Sequence, residues 1–283
     1  MGKDGRKTVN YEAFSFDLRK NVIDMIVAGN GGHIGGDMSV MDILITLYFR
    51  QMNISPENCE DPDRDLFVMS KGHCVEALYS VLAAKGFFPI EQVIDEFSRF
   101  GSKFIGHPNN KLPGIEMNSG SLGHGLPVSV GMALAGRMDK RANRVYVVMG
   151  DGELAEGSVW EGAMAAAMYG LDNLCAVIDR NRLQISGGTE DVMAHRDLAA
   201  KFTDFGWHVI NVEDGNDSDA LNAAFEEAKT VKGKPSLVIA NTVKGYGSEV
   251  MENKASWHHH VPTKEEYEQI MRDFESRKEA CSQ

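Results

Sequence analysis

Two short apolar runs, each ending in residues that offer hard oxygen ligands, constrain this chain more than any other feature. Val145-Tyr146-Val147-Val148-Met149 reads as a buried strand and ends at Gly150-Asp151-Gly152. A second run, Leu174 to Ile178, ends in Asp179-Arg180-Asn181, which places Asn181 thirty positions after Asp151. Continuous apolar runs of this length bounded by turn residues suit strands covered on both faces. In a parallel α/β sheet, ligands gather outside the carboxyl ends of the strands. Asp151 and Asn181 therefore converge on one crevice. A carboxylate and an amide oxygen suit Mg²⁺ that also holds a phosphate, and the flanking glycines let the backbone approach a diphosphate closely. Gly-Asp-Gly alone is also an ordinary turn, so its meaning depends on the rest of the chain.

The rest of the chain alternates between helical and strand periodicity. Phe14, Leu18, Val22, Met25 and Ile26 predict a helix over 11–27, which Gly29 to Gly36 interrupts. Ser39 is expected to cap a second helix over 40–50. Phe67 to Met69 reads as a strand, 75–85 as a helix closed by Gly86, and 91–100 as a further helix. Residues 101–120, with Pro108 and Pro113, form an irregular segment of the length that usually carries function. Helices over 122–138 and 156–169 are rich in small residues, among them Gly125, Gly131, Ala135, Gly162 and Ala166. Beyond 174–178 come a helix over 196–204, a strand over 208–212, a helix over 218–230 and a strand over 236–240. The tail over 263–279 is amphipathic and charged. Such alternation implies an α/β fold, a parallel sheet with helices on both faces. Nothing reads as a linker, so residues 1–283 are expected to form a single domain with a helical N-terminal arm and a C-terminal tail.

Composition narrows the function classes. The chain has 283 residues and a net charge of −12, which argues against a nucleic-acid-coating surface. It has no apolar run long enough to span a membrane. Its first residues, Met1-Gly2-Lys3-Asp4-Gly5-Arg6-Lys7, do not read as a signal peptide or a myristoylation site. Cys59, Cys74, Cys175 and Cys281 are scattered, without the spacing of a disulfide framework or a zinc site. A cytoplasmic protein is expected.

Histidines supply the remaining pattern. A lone histidine in a loop is usually surface decoration, but here the blocks occur as an ordered set. They are Gly31-Gly32-His33-Ile34-Gly35-Gly36, Ser70-Lys71-Gly72-His73, Gly106-His107-Pro108, Ser119-Gly120-Ser121-Leu122-Gly123-His124-Gly125, the Gly-Asp-Gly and Asn181 pair, Gly245-Tyr246-Gly247 and Trp257-His258. In this order they resemble the transketolase family, specifically its N-terminal half, which binds the diphosphate of thiamine diphosphate. The resemblance runs from about Tyr11 to about Pro262. It implies the N-terminal subunit of a split transketolase, with a separate pyrimidine-binding chain, two copies of each, supplying the remainder.

The resemblance implies a role for each matching position. Asp151, Asn181 and the backbone carbonyl of Leu183 hold Mg²⁺, or Ca²⁺ or Mn²⁺ in its place. His73, His258 and the Gly152 amide bond the diphosphate. Gly120 and Leu122 line the thiamine, and Ile185 packs near its thiazolium. His33 and His107 face the sugar, a ketose phosphate or related anionic sugar. Glu156 joins an acidic network that crosses toward the partner's cofactor site, although a first-turn glutamate is also favoured by the helix dipole alone. The small-residue helices over 122–138 and 156–169 are the candidate assembly surface. These roles agree with the chemistry. A diphosphate calls for a cation and N–H donors, while the cofactor carries the carbanion chemistry and the protein orients it.

Some positions depart from the family pattern. Arg180 precedes Asn181 where many thiamine enzymes have Asn, and His124 stands where Gln is common. The run His258-His259-His260 leaves two candidates for the diphosphate, His258 and His260, and three adjacent histidines could also chelate a metal. The glutamate that activates the cofactor's aminopyrimidine has no counterpart here, because in the family it belongs to the pyrimidine-binding domain. Alternatives of the same chemistry are dihydroxyacetone-type transfer, a sulfosugar donor, a branched-sugar phosphate and deoxyxylulose-phosphate synthase. The α subunit of 2-oxo acid dehydrogenases shares Gly-Asp-Gly but lacks the His33 and His107 blocks. A degenerate, non-catalytic half-enzyme is the alternative of another class.

Overall fold

The computed structural model describes residues 9–282; the reading of residues 1–7 lies outside them. Five parallel strands form the sheet: β1 (Leu66–Met69), β2 (Val145–Gly150), β3 (Leu174–Asp179), then β6 (His208–Val212) and β7 (Ser236–Ala240). Between β3 and β6 lies a short antiparallel hairpin, β4 (Leu183–Gln184) with β5 (Gly187–Gly188). The sheet order is β1-β2-β3-β7-β6.

Strand alternation builds two cores. Tyr146, Val148, Cys175, Val177 and Val238 face one side of the sheet. They pack against α1 (Tyr11–Gly29), α2 (Ile34–Thr46), α3 (Val75–Lys85), α4 (Ile90–Glu96), α9 (Ser218–Thr230) and α10 (Lys264–Cys281). Val145, Val147, Met149, Ala176, Ile178 and Ile239 face the other. There they meet α5 (Gly125–Met138), α6 (Gly157–Met168) and α8 (Leu198–Asp204). A further short helix, α7 (Thr189–Val192), follows the hairpin. Side chains on the two faces of a strand alternate, so an all-apolar strand feeds both layers. The expected doubly covered parallel sheet is what forms.

Helices expected from 122 and 196 start at Gly125 and Leu198, and two further helix boundaries differ more from the sequence reading. The second helix starts at Ile34, not Val40, and passes through Gly35 and Gly36. Those glycines serve close approach: a Cβ on Gly36 would lie 2.6 Å from Cys74 Sγ, and one on Gly35 2.7 Å from the Trp257 carbonyl oxygen. Ser39 is consequently inside the helix and caps nothing; its hydroxyl bonds the Gly36 carbonyl and Asp179. The helix expected over 91–100 stops at Glu96, where Phe97 turns into the core and Ser98 adopts φ 56°.

Candidate active site

Strand register creates the site. Gly150 pairs with Asp179, and Asp179 with Ala240, so three strands end in one row. The segments leaving that edge carry Lys71, Asp151, Asn181 and Lys244. Together with the N-terminus of α2 and the irregular segment 97–124, they enclose a cavity of about 480 Å³. His33, His73, His107, Gly120, Leu122, Asp151, Gly152, Asn181, Leu183, Ile185 and His258 all line it. Glu156 does not. It is exposed at the start of α6, with its side chain against Gly123.

The cation end is rigidly built. Asp151 is buried, and its two carboxylate oxygens accept from the Gly152 amide at 3.0 Å and the Arg182 amide at 2.7 Å. Burial and the nearby Asp179 push its carboxyl up to about 6. Asn181 Oδ1 accepts from the Leu183 amide at 3.1 Å, while its Nδ2 donates to Ser39. Arg182, between them, has φ 64°, a costly conformation for a residue with a side chain. Asp151 holds its amide, and its guanidinium donates to Asn241 at 2.9 Å. This carboxylate from the end of β2, with an amide oxygen and a peptide carbonyl from the turn after β3, fits a hard divalent cation.

Beneath them lies an ionic network that the sequence did not reveal. Asp179 is fully buried and bonds Ser39, Thr242 and the Lys71 ammonium. Burial disfavours charge on Lys71, but the Asp179 carboxylate and the Cys74 sulfur together outweigh it and raise the lysine. Lys244 is also buried; its Nζ reaches the Leu183 carbonyl at 3.1 Å and His258 Nδ1 at 2.9 Å. A lysine just past a strand end reads as a surface residue. The only signals were the place of Lys71 in the Ser-Lys-Gly-His block and of Lys244 immediately before Gly245-Tyr246-Gly247. Glu153, likewise overlooked, is a buried strut that accepts from Ser70, the Gly123 amide at 2.8 Å and the Gly150 amide at 3.1 Å.

The histidines form one cluster around His33. Its ring centroid lies 5.3 Å from His73, 6.0 Å from His107, 5.6 Å from His258 and 5.0 Å from His259. Burial, then the neighbouring His259 and His107, lowers His33 to about 4. Burial and Lys244 lower His258 to about 3. Burial lowers His73 and His107 as well. Four imidazoles are thus held as neutral donors and acceptors. Gly120 allows the approach of His107, whose Cδ2 would be 3.0 Å from a Cβ there. His260 turns away, packing on Trp257 and bonding Glu266 at 3.0 Å. The three consecutive histidines do not act as a chelate: among the described residues, no group of three His, Cys, Asp or Glu side chains could hold a metal. Ile185 stands on the cavity rim, 75% exposed, an apolar face turned toward whatever fills the cavity.

Comparison with known proteins bears on this arrangement. The family described as "Transketolase, thiamine diphosphate binding domain" matches residues 12–278. The chain is 49% identical over 259 residues to one of the subunits of an apulose-4-phosphate transketolase from Phocaeicola vulgatus, covering 92% of each. It is 42% identical to a 6-deoxy-6-sulfo-D-fructose transketolase subunit of Clostridium sp., covering 91% of this chain and 94% of the other. Its fold superposes on a solved transketolase mutant of Pichia stipitis with a TM-score of 0.87 at 30% identity, covering 98% of this chain and 44% of that one.

Proposed function

Because the chain belongs to the transketolase family, through the thiamine-diphosphate-binding domain, we propose that it is the N-terminal subunit of a split transketolase. The observation that carries this reading is the convergence of eleven of the twelve expected site residues on one cavity. Bound thiamine diphosphate supplies the carbanion chemistry of ketol transfer. Asp151, Asn181 and the Leu183 carbonyl would hold Mg²⁺. His73, His258 and the Gly152 amide would hold the diphosphate, with Gly120, Leu122 and Ile185 against the thiamine. His33 and His107 would bond the sugar's oxygens and move protons there as neutral imidazoles. Glu156, outside the cavity, would belong to the face that meets the partner.

That face is supported by exposed apolar residues on α5 and α6. Val128, Met138, Met164, Met168 and Tyr169 are exposed, beside an open Gly131. A patch of this composition marks an interaction surface. Its proposed partner is a pyrimidine-binding chain, in an assembly with two copies of each. The four cysteines are free, which suits a reducing compartment such as the cytoplasm, and no described helix is long and apolar enough to cross a membrane. The donor is proposed to be a ketose with an anionic group. A branched-sugar phosphate such as apulose 4-phosphate is the first choice on the 49% relative, and a sulfosugar the second on the 42% relative.

The deciding assay mixes this chain with its pyrimidine-binding partner, thiamine diphosphate, Mg²⁺ and a panel of ketose donors, against each chain alone. Turnover is expected only from the mixture, since no residue here matches the activating glutamate. Full turnover by this chain alone would overturn the split-enzyme reading.

A further inference from the structure

Beneath the histidine cluster, two carboxyl groups tie together the helices that carry it. Asp37, in the first turn of α2, accepts from the Ala77 amide in the first turn of α3 at 3.0 Å. Glu76, in the first turn of α3, accepts from the His33 amide at the N-cap of α2 at 3.4 Å. Each helix N-terminus is thus capped by an acid from the other. Both acids are wholly buried and close enough to act on each other's ionisation. Asp37 Oδ2 and Glu76 Oε2 accept no hydrogen bond from any donor among the described residues. Gly32 makes the approach possible, because a Cβ there would lie 2.5 Å from Glu76 Oε1.

Two neighbouring carboxylates without solvent cannot both be ionised. One proton between them satisfies both free oxygens and leaves a single charge, which the Lys71 ammonium faces. Burial raises both acids, with the charge of Glu76 adding to the rise of Asp37; Glu76 stands at about 8. Lys71, Cys74 and Tyr79 are the other titratable groups that sense this pair.

We propose that Asp37 and Glu76 are positioning residues: a carboxyl–carboxylate pair sharing one proton, which locks the start of α2 to the start of α3 and so fixes His33 against His73. This rests on the reading of those histidines as sugar- and diphosphate-facing. The pair touches neither ligand; it acts through the two helix termini.

The experiment uses the full chain, with carboxyl ¹³C and imidazole ¹⁵N NMR at pH 7 and titration of thiamine diphosphate with Mg²⁺ in the assembled complex. In the unaltered protein, the Asp37 and Glu76 carboxyl signals are expected to report one bound proton. Two fully ionised carboxylates would overturn the proposal without any variant. Glu76→Gln and Asp37→Asn each keep an acceptor for the backbone amide and a donor for the remaining carboxylate. They should leave the His33 and His73 signals in place. Glu76→Ala should move both signals and weaken cofactor binding roughly 10- to 100-fold, the usual cost of losing an outer-shell partner. A folded Glu76→Ala protein with unmoved histidines and unchanged affinity would sink the role. So would Glu76→Gln behaving like Glu76→Ala. The NMR signals do not depend on turnover, so an assembly inactive toward every sugar would count against the functional reading and not against the pair.

Discussion

The Lys244 ammonium lies 2.9 Å from Nδ1 of His258, with a second contact to the Leu183 carbonyl. A cationic donor at Nδ1 makes that nitrogen the acceptor, so the neutral ring carries its proton on Nε2. Each group restrains the charge of its surroundings. Burial, then Lys71, lowers Lys244 to about 8, and Lys244 contributes to holding His258 near 3. In the proposed site, an arriving diphosphate would therefore meet an ammonium and an oriented N–H donor that are already desolvated.

Lys244→Met should weaken thiamine-diphosphate binding in the assembled complex about 10- to 100-fold, the range for a lost charge-assisted hydrogen bond. His258 should then titrate at higher pH, since a nearby positive charge has gone. Calorimetry and imidazole NMR check the two halves; unchanged affinity with an unchanged His258 titration would dismiss Lys244 from the site.

Acidification should leave the histidine cluster uncharged well below the ordinary range. Folded values of about 4 for His33 and about 3 for His258 lie below the 6.5 of a free imidazole side chain. The folded state therefore disfavours the protonated rings, and both should remain neutral at pH 5. Added diphosphate should raise both midpoints, because an anion favours imidazolium. Midpoints near 6.5 in the free protein would contradict the burial seen here.

Removing the cation ligand should separate binding from folding. Asp151→Ala is expected to abolish Mg²⁺-dependent cofactor binding while the chain stays folded, and chelation of Mg²⁺ should mimic it in the unaltered protein. Cofactor titration beside a thermal melt gives the comparison, and affinity preserved in the variant would move the cation elsewhere.

His33→Ala and His107→Ala should lower turnover about 10²- to 10³-fold, the effect of losing a hydrogen bond made in the transition state, with little change in cofactor affinity. Steady-state kinetics of the complex would expose the reverse pattern, intact turnover with poor cofactor binding, if these histidines served the diphosphate instead.

Gly131→Arg and Gly162→Arg should part company. A side chain on Gly131 meets nothing within 4 Å, whereas one on Gly162 would press on Leu126 and Pro127 at 3.2–3.3 Å. The first should block assembly and leave the chain folded; the second should damage the α5–α6 packing itself. Solution mass and thermal unfolding together distinguish them. Of the small residues that marked these helices as an assembly surface, Gly125, Gly162 and Ala166 are in fact buried within the chain.

Strand positions, most helices and the cavity histidines were legible because each left a local mark: period two or 3.6, a turn glycine, a motif block. The start of α2 was hidden because Gly35 and Gly36 look like helix breakers, and only the proximity of Cys74 and Trp257 explains them. Lys71, Asp179 and Lys244 were hidden for a different reason. Their partners lie 108 positions apart for Lys71 and Asp179, and 61 for Lys244 and Leu183; the first pair depends on β2 bringing β1 and β3 together, the second on β7 lying beside β3. Local pattern does not encode that order. The same limit concealed Asp37, which falls ahead of the helix expected over 40–50, and Glu76, which falls in the first turn of the helix expected over 75–85.

Asp151 follows directly on the end of β2, Asn181 comes two residues after β3, and Lys71 two after β1. His107, Gly120 and Leu122 instead sit on the long stretch between α4 and α5, which has no strand and is anchored by Tyr79 bonding the Ile105 carbonyl at 3.0 Å. On the proposed roles, strand register fixes the cation ligands, whereas the loop carries both a sugar-facing residue, His107, and the thiamine contacts Gly120 and Leu122. A change in that loop would therefore act on sugar and thiamine together and leave the cation's ligands in place.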